Sequence, residues 1–259
     1  MKVLVLSSGG KDSSYSIWWA MLQGWDVCGI VTVRVTGDDS HMFQIPATSL
    51  AGLQAASAGI PWLPVPISGE SETDIPTLER ALENVIHGSR KTRSQVWSAE
   101  EKAEANWPNG WKWPPELKRL RNSSKIDGLV TGALRSDYQK TRIEQMCARL
   151  GLKSYTPLWH HEAEMHMLEL VSHGHEIVVT SVSADGLDES WLGKKLTIED
   201  VRNLVKIARK YRFHVDGEGG EFETSVTDSP WMRKGIQMQY TAHWTGRRGW
   251  VDIWTAELL

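Results

Sequence analysis

The sequence predicts an α/β fold: a parallel, Rossmann-like sheet followed by a smaller C-terminal α+β domain. Short apolar segments alternate with helical patterns through most of the chain, and such alternation is typical of a parallel sheet wrapped by helices. The first apolar segment, Lys2–Leu6, runs straight into a glycine-containing loop and then into a helix. After Leu158 the helical segments become more charged. We therefore predict an N-terminal domain over residues 1–157 and a C-terminal domain over residues 158–259.

The individual elements follow from the spacing of apolar residues. Strands are predicted at Lys2–Leu6, Val27–Val33, Pro61–Pro66, Gly128–Thr131 and Ile177–Val182. The helices that alternate with them are predicted at Ser14–Gln23, Thr48–Ser57, Pro76–Ile86 and Asp137–Leu150. The C-terminal domain is expected to contain a helix at Ile198–Tyr211 and strand-like runs at Gln237–Trp244 and Trp250–Trp254.

One segment, residues 87–125, interrupts the alternation. It is polar and charged, and it carries Trp97, Trp107, Trp111 and Trp113 among its prolines. Long insertions of this kind are usually lids over a site or linkers. We interpret it as an insertion that contains a short helix and a loop. The sequence leaves open whether it is a lid or a surface on which a protein docks.

The composition limits the class of protein. Hydrophobic residues make up 41% and charged residues 24%, as in ordinary globular proteins. The formal net charge of -3 argues against a nucleic-acid partner, since nucleic-acid-binding domains usually carry a basic surplus. Cys28 and Cys147 form no CxxC pair, which predicts a reducing compartment. The apolar run at Val3–Leu6 is too short for a signal peptide or a membrane span, so we expect a soluble, cytoplasmic protein without a membrane partner.

The loop Ser8–Ser13, which reads Ser-Gly-Gly-Lys-Asp-Ser, is suited to hold a phosphate group. Glycines let the backbone turn sharply and approach a ligand closely, and the N–H groups of the following helical turn point outward at the positive end of the helix dipole. Lys11 adds a positive charge and the serines add hydroxyl donors. The spacing fits neither the Walker A loop nor the G-x-G-x-x-G fingerprint. It resembles the pyrophosphate loop of the N-type ATP pyrophosphatases, which implies ATP as the ligand.

Asp12 adds a negative charge to this phosphate loop. A carboxylate beside a triphosphate is repelled unless a cation lies between them, which predicts a Mg²⁺ ion held partly by Asp12. The alternative is that Asp12 caps the helix. Because Ser13 and Ser14 are also available as caps, the complete loop favours the metal role.

The segment Gly132–Arg142 is a second candidate for the site. It follows a predicted strand, so it lies at the sheet edge where the ligands of open α/β proteins gather. Gly132 and Ala133 are small enough to let a nucleotide lie against the backbone, and Arg142 can reach a phosphate. The alternative is an ordinary strand-to-helix turn whose N-cap is Ser136 or the aspartate after it.

The third candidate is the acidic segment Gly217–Thr224. If its end is extended, Glu221 and Glu223 share one face, and the two glycines before them let Glu218 join. Three crowded carboxylates repel one another unless a cation is bound. A solvated acidic turn is the alternative, and the composition favours neither.

The histidines give weaker signals. His41 lies beyond the second strand, at the same sheet edge, but on its own it is an ordinary loop histidine. The run from His161 to His166 is one residue too long for the H-E-x-x-H zinc helix. We predict a polar helix start there and no zinc site.

Together these segments resemble the diphthine–ammonia ligase family, which performs the last step in making diphthamide, a modified histidine of translation elongation factor two. The resemblance runs through most of the chain, and it is carried by Ser8–Ser13, Ser40–Phe43, Gly132–Gln139, Arg142–Leu152, Asp185–Leu187, Trp191–Gly193 and Gly217–Thr224. The phosphate loop marks only the superfamily, whereas Gly217–Thr224 and Ser136–Gln139 are specific to this branch. Gln44 stands where the family has a histidine, and Lys194 where an arginine is usual. The insertion at 87–125 is longer than the family pattern.

The resemblance implies an adenine nucleotide α-hydrolase-like fold and an AMP-forming ligase. Transfer of AMP from ATP to the diphthine carboxylate releases pyrophosphate, and ammonia then displaces AMP. The implied ligands and partners are ATP, Mg²⁺, ammonium and elongation factor two, and a homodimer is left open. The implied catalytic residues are Lys11, Asp12 and Arg142, with Asp12 as the metal ligand. The residues implied to bind the nucleotide are Ser7, Ser8, Gly9, Gly10, Lys11, Asp12, Ser13, His41, Gly132, Ala133 and Asp137, and those implied to bind the cationic substrates are Glu218, Glu221 and Glu223.

Two other functions fit parts of the pattern. One is a tRNA-modifying enzyme of the same superfamily, although such enzymes usually carry paired cysteines and a basic surface. The other is a non-enzymatic adenine-nucleotide sensor that resembles the universal stress proteins, although these lack the Ser-Gly-Gly-x-Asp-Ser loop. The sequence of the loop and the charge of the chain favour the ligase.

Overall fold

The structure is a computed structural model that describes residues 1–35, 45–69, 71–88, 95–121, 125–133 and 135–259. Within these residues it contains a five-stranded sheet and a four-stranded sheet. The first belongs to the N-terminal part of the chain and is parallel throughout, whereas the second belongs to the C-terminal part and is antiparallel. The predicted fold class is therefore confirmed.

The parallel sheet has the strand order β3-β2-β1-β4-β5. Its strands are β1 (Lys2–Leu6), β2 (Asp26–Val35), β3 (Trp62–Ile67), β4 (Gly128–Val130) and β5 (Lys153–Tyr155). The chain first winds from β1 toward β3 and then crosses to β4 on the other side of β1. Because connections leave β1 and β4 in opposite directions, a crevice opens at their carboxyl ends, which is where open α/β sheets bind ligands.

The helices of the N-terminal part cover both faces of this sheet. They are α1 (Lys11–Leu22), α2 (Ile45–Ala58), α3 (Ser71–His87), α4 (Ala99–Glu104) and α5 (Asp137–Arg149). Side chains alternate along β1, as the pleat of a strand requires. Leu4 belongs to a buried cluster with α3 and α5, whereas Val3 and Val5 belong to a second cluster with α1 and α2.

The antiparallel sheet has the strand order β7-β6-β9-β8. The elements of this part are α6 (Ala163–Ser172), β6 (Glu176–Val182), a short 3₁₀ turn (Glu189–Trp191), α7 (Ile198–Tyr211), β7 (Phe222–Asp228), β8 (Ile236–Trp244) and β9 (Gly249–Leu258). Leu50 and Leu53 of α2 share a buried cluster with Met167 of α6 and Ile177 of β6. The two parts of the chain therefore have a core in common.

Several predicted elements differ from the structure: the helix predicted at Pro76–Ile86 already begins at Ser71, and the strand predicted at Trp250–Trp254 continues to Leu258. The strand predicted at Ile177–Val182 was assigned to the parallel sheet, but it is β6, which pairs antiparallel with β7 and β9. Its place beside β4 is taken by β5, a three-residue strand of polar sequence that the apolar pattern missed. The first helix begins at Lys11, three residues before the prediction, because Gly10 is its N-cap.

The tryptophan-bearing segment is part of the core. It contains the expected short helix, α4, which begins with a capping box at Ser98. Trp97 and Trp111 are each only 6% exposed, and the rings of Trp97 and Trp107 both lie 5.9 Å from that of Trp62. The indole N–H of Trp111 donates to the carbonyl of Ile253 in β9, at 3.2 Å. In its described part, the segment thus connects the two sheets, and these tryptophans form neither a lid nor an exposed docking surface.

None of the helices in the described ranges is both long and apolar enough to cross a membrane.

The buried tryptophans give a stability prediction. We expect Trp97→Ala to lower the free energy of unfolding by about 3–5 kcal/mol, because it removes a buried ring and leaves a cavity. Trp254→Ala is the matched control: its side chain is 53% exposed, and its loss should change stability by no more than about 0.5 kcal/mol. Denaturant unfolding followed by circular dichroism measures both. A Trp97 variant as stable as the Trp254 variant would contradict the structural role.

Candidate functional site

The phosphate loop leaves β1 beside β2 and turns at Gly9. The N–H of Ser7 donates to the carbonyl of Val31 at 2.9 Å, which continues the sheet by one residue. Gly9 then has φ of 87°, in the left-handed region that glycine adopts without steric cost. Its N–H donates to the hydroxyl oxygen of Ser7, at 3.2 Å. The chain returns to extended geometry at Gly10, and α1 begins at Lys11.

Hydrogen bonds from β7 of the C-terminal sheet and from Gln54 of α2 hold this loop in place. The carbonyl oxygen of Gly9 accepts a hydrogen bond from the N–H of Val226 in β7, at 3.0 Å, and a second from the side-chain amide of Gln54, at 2.9 Å. The same amide nitrogen of Gln54 donates to the carbonyl of Val226, at 2.7 Å. A Cβ atom on Gly10 would lie 3.2 Å from the carbonyl oxygen of Thr224. The glycines therefore allow the loop to lie directly against β7.

The start of α1 is left open toward a ligand. Its N-cap is Gly10, which has no side chain to make a capping hydrogen bond, and the N–H of Lys11 donates to the hydroxyl of Thr224 at 3.4 Å. The first N–H groups of a helix have no partner within the helix, so those that follow Lys11 are suited to bind an anion. Asp12 does not cap the helix, and neither Ser13 nor Ser14 does so. The hydroxyl of Ser13 instead donates to the carbonyl of Gly10, at 3.0 Å.

Lys11, Asp12 and His166 form a chain of charged and polar groups. The ammonium group of Lys11 lies 2.8 Å from Oδ2 of Asp12, and Nε2 of His166 lies 2.8 Å from Oδ1 of the same carboxylate. Burial acts to raise the pKa of Asp12, but the charge of Lys11 and the hydrogen bond from His166 outweigh it and lower the pKa. Asp12 is therefore a carboxylate at neutral pH.

The larger of two cavities at the loop lies in the crevice between β1 and β4. It has a volume of about 510 Å³, and its polar wall contains Ser7, Ser8, Asp12, Ser13, Gly132, Ala133, Arg142 and Glu218. Val31, Val33, Ile75 and Ile143 supply apolar surface. A Cβ atom on Gly132 would lie 2.8 Å from the backbone carbon of Asp12, so this position must be glycine for the two chain segments to meet as they do. Apolar walls beside a polar end suit a nucleoside with its phosphates.

The smaller cavity lies on the other side of the phosphate loop and has a volume of about 260 Å³. Lys11, Phe222, Glu223 and Thr224 line it. Ser8, Asp12 and Ser13 line both cavities, so the loop forms the wall between them.

The carboxylates of Glu218, Glu221 and Glu223 lie in three different surroundings. Glu218 lines the larger cavity and accepts a hydrogen bond from the N–H of Arg135, at 3.2 Å, and burial raises its pKa. Glu223 lines the smaller cavity, and burial raises its pKa as well. Glu221 accepts a hydrogen bond from the N–H of His214, at 2.9 Å, and does not line either cavity. The part of the chain that the structure describes contains no cluster of three such side chains suited to a metal ion.

The other predicted residues are distributed as follows. Arg142 lines the larger cavity with its guanidinium 4.1 Å from the ring centroid of Tyr138. Asp137 is the first residue of α5 and does not line this cavity, and the N-cap of that helix is Ser136, which accepts from the N–H of Gln139. His41 lies outside the described residues, as do Ser40–Phe43 and Gln44.

Several residues at the site were missed by the sequence analysis. His166 contacts Asp12 across 154 positions of sequence, and Gln54 joins two backbone segments that are far apart along the chain. Arg135 forms an ion pair with the fully buried Asp216 and also donates to the carbonyl of His161. From the sequence, His166 was considered only as a candidate zinc ligand, and that role was rejected. Its position one turn into a polar helix was the available signal.

Mg²⁺ fits the residues at one position. Mg²⁺ is usually bound through one or two carboxylates together with substrate phosphates. Asp12 is ionised, lies at the start of α1, and faces both cavities. It is the one carboxylate of the phosphate loop, so the donor set matches a metal that is shared with a bound polyphosphate.

A parallel sheet whose first strand passes through a glycine-rich loop into the N-terminus of a helix, with a cleft at its carboxyl edge, defines a phosphate-binding α/β protein. More narrowly, the chain belongs to the diphthamide synthase family. Residues 1–106 and 111–154 match the family model of the diphthamide synthase N-terminal domain, and residues 162–259 match that of the C-terminal domain. The two matches leave out residues 107–110 and 155–161.

Curated relatives match along nearly the whole chain. The diphthine–ammonia ligase of Rattus norvegicus is 32% identical over 244 residues, which cover 91% of this chain and 82% of the relative. The human diphthine–ammonia ligase is 30% identical over the same shares of both chains. That of Schizosaccharomyces pombe is 31% identical, and the match covers 91% of this chain but 36% of the longer fungal protein.

The contact between Gly132 and the phosphate loop gives a second prediction. Gly132→Ala places a methyl group against the backbone of Asp12 and must move the loop, so we expect kcat/KM for ATP to fall about 10²-fold. Gly29→Ala is the control, because the atoms nearest to its methyl group would belong to the side chain of Leu120 and not to the backbone of the phosphate loop. Steady-state kinetics and unfolding midpoints of both variants separate the effects. Unchanged kinetics in the Gly132 variant would show that this contact does not shape the site.

Proposed function

We propose that this protein is a diphthine–ammonia ligase, which uses ATP and ammonium to convert the carboxylate of diphthine on translation elongation factor two into an amide. The observation that carries the proposal is the phosphate loop that separates two cavities and lines both with Ser8, Asp12 and Ser13. A nucleotide in the larger cavity and an acyl acceptor in the smaller one would meet at this wall. The relatives that bear this name, and that match over nine-tenths of the chain, support the same assignment.

The chemistry requires an activated carboxylate. Ammonia does not displace oxide from a carboxylate, because oxide is a very poor leaving group. In the proposed reaction the diphthine carboxylate attacks the α-phosphorus of ATP, an acyl-adenylate forms, and pyrophosphate leaves. Ammonia then attacks the acyl carbon and AMP leaves. We place this reaction in the cytoplasm, where elongation factor two works.

The positive groups of the site lie on the two sides of the phosphate loop, Arg142 in the larger cavity and Lys11 in the smaller one. Lys11 is 5% exposed, so its charge acts where little water screens it, and the open N-terminus of α1 adds its partial charge. We assign Arg142 to a phosphate oxygen, since it lines the larger cavity. Mg²⁺, when bound, neutralises phosphate charge, and we assign Asp12 as its protein ligand.

The remaining nucleotide contacts follow from the walls of the larger cavity. Ser7, Ser8, Ser13, Gly132 and Ala133 line it and are assigned to the nucleotide. Gly9 and Gly10 contribute backbone groups of the loop. His41 and Asp137 stay predictions from the family resemblance.

We assign the acidic segment to the cationic substrates, because diphthine carries a trimethylammonium group and the nitrogen donor arrives as ammonium. Glu218 faces the larger cavity and Glu223 the smaller one, so each can contact one of these two cations directly. Glu221 contributes by holding the turn through the N–H of His214.

Removal of either charged loop residue tests the proposal. With ATP, Mg²⁺, ammonium and diphthine-bearing elongation factor two, the parent protein should release AMP and form amide in equal amounts. Lys11→Ala and Asp12→Ala should each lower the rate of AMP release by about 10²–10³-fold, because each removes a charge aimed at the reacting phosphates. Chromatography of the nucleotides and mass spectrometry of the factor measure both products.

Lys112→Ala is the matched control, since its side chain is 76% exposed and pairs with Glu257 at the surface. It should leave both products unchanged. Release of ADP in place of AMP by the parent protein would exclude the proposed mechanism, and AMP release that depends on tRNA would favour a tRNA-modifying enzyme instead.

A further inference from the structure

The carboxyl group of Glu223 differs from those of Glu218 and Glu221 in its hydrogen bonding. It lies on β7 and lines the smaller cavity together with Lys11 and Asp12 of α1, Thr180 of β6 and the neighbouring Thr224. Within the described residues it has no hydrogen-bond or ion-pair partner. By contrast, Glu218 accepts from the N–H of Arg135 and Glu221 from the N–H of His214.

A partly buried carboxylate without a partner is costly, because it has lost part of its water and gained nothing in its place. Such a group is stabilised when a ligand with N–H donors or a positive charge enters the cavity. Burial raises the pKa of Glu223, which makes the carboxylate a stronger base than an exposed glutamate. The two other charged groups that face this cavity, Lys11 and Asp12, are paired with each other at 2.8 Å.

We propose that Glu223 binds the nitrogen donor as ammonium in the smaller cavity and takes a proton from it. This inference rests on the proposed ligase function and names the base in its second step.

The chemistry of the cavity selects ammonium over the other cations of the reaction. The carboxylate of Glu223 and the hydroxyls of Thr180 and Thr224 are oxygen acceptors, which suit an ion with four N–H donors. A trimethylammonium group has no N–H to donate to them.

The cavity also places the base beside the reacting carbon. Ser8, Asp12 and Ser13 form the wall that the two cavities share, so an acyl-adenylate formed there has its acyl carbon next to the smaller cavity. With a volume of about 260 Å³, this cavity has room for the end of the acyl chain as well as for ammonium.

Protons and electrons balance in the amidation step. The Glu223 carboxylate accepts one proton from ammonium, and the lone pair that this frees on nitrogen forms the C–N bond. The C–O bond to AMP breaks, and AMP leaves with that electron pair. The nitrogen then loses its second proton to solvent, which leaves a neutral amide and a protonated Glu223.

The experiment separates the two steps of the reaction with the variant Glu223→Gln. Exchange of labelled pyrophosphate into ATP, with diphthine-bearing factor and no ammonium, reports adenylation alone and should stay within about twofold of the parent value. At pH 7, kcat/KM for ammonium should fall roughly 10²-fold, the usual contribution of a positioned base.

The pH dependence should change in form as well. In the parent protein, kcat/KM for ammonium should fall as pH decreases through the Glu223 pKa, which lies above the usual glutamate value, because a protonated carboxyl cannot accept a proton. In the Gln variant, the decrease that is caused by protonation of Glu223 should disappear. There kcat/KM for ammonium should rise about tenfold per pH unit, in proportion to the fraction of free ammonia. Hydroxylamine, which is largely unprotonated at neutral pH, should be used almost equally well by both proteins and give the hydroxamate.

Two further variants control the result. Glu223→Asp keeps a carboxylate and should recover part of the activity with ammonium at pH 7. Asp228→Asn removes the same charge at the other end of β7, where the side chain accepts from the N–H of Ser229 at 2.8 Å, and should leave ammonium use unchanged.

Each other outcome has a distinct meaning. If Glu223→Gln lost pyrophosphate exchange and amide formation equally, Glu223 would serve adenylation or the fold, and the assignment as base would be wrong. If the variant used ammonium normally at pH 7, the assignment would also be wrong while the ligase function stood. If the parent protein showed no exchange and formed no amide, the proposed function itself would fail.

Discussion

The carbonyl oxygen of Gly9 is the point on which the whole site depends. It accepts hydrogen bonds from the N–H of Val226 and from the side chain of Gln54. In a trans peptide the N–H of the next residue points away from the carbonyl, so these two bonds aim the N–H of Gly10 away from β7. The turn into α1, the open start of that helix and the wall between the two cavities all follow from the position of this one peptide group.

The site is therefore made by two domains and not by the parallel sheet alone. The sheet supplies the crevice and the loop, whereas the C-terminal part supplies the groups that hold the loop residues in place. Thr224 accepts from the N–H of Lys11, His166 orients Asp12, and the buried Asp216 holds Arg135 beside Gly132. This arrangement explains why the acidic segment is close to the phosphate loop although about 200 residues separate them, since long-range contacts of this kind are formed by packing and not by local sequence.

The parts of the structure that local sequence determines were predictable. The phosphate loop, the strands β1 and β2 and the helix at Ile198–Tyr211 each carry their own glycine, β-branched or amphipathic pattern. The parts that depend on distant partners were not. Nothing in β6 indicates that it pairs with β7 and β9, the polar strand β5 is too short to show a pattern, and His166 gains its role only through the fold. The acidic segment was recognised as a unit, but the separate directions of its three glutamates depend on the turn at Glu221.

A crystal structure with α,β-methylene-ATP and Mg²⁺ tests the central claim most directly, since this analogue cannot be split between its α and β phosphates. The account predicts that the triphosphate lies on the backbone N–H groups between Gly10 and Ser13 and within hydrogen-bond reach of the Lys11 ammonium, with the nucleoside in the larger cavity. A triphosphate bound anywhere else, with these N–H groups turned inward and free of ligand, would contradict it.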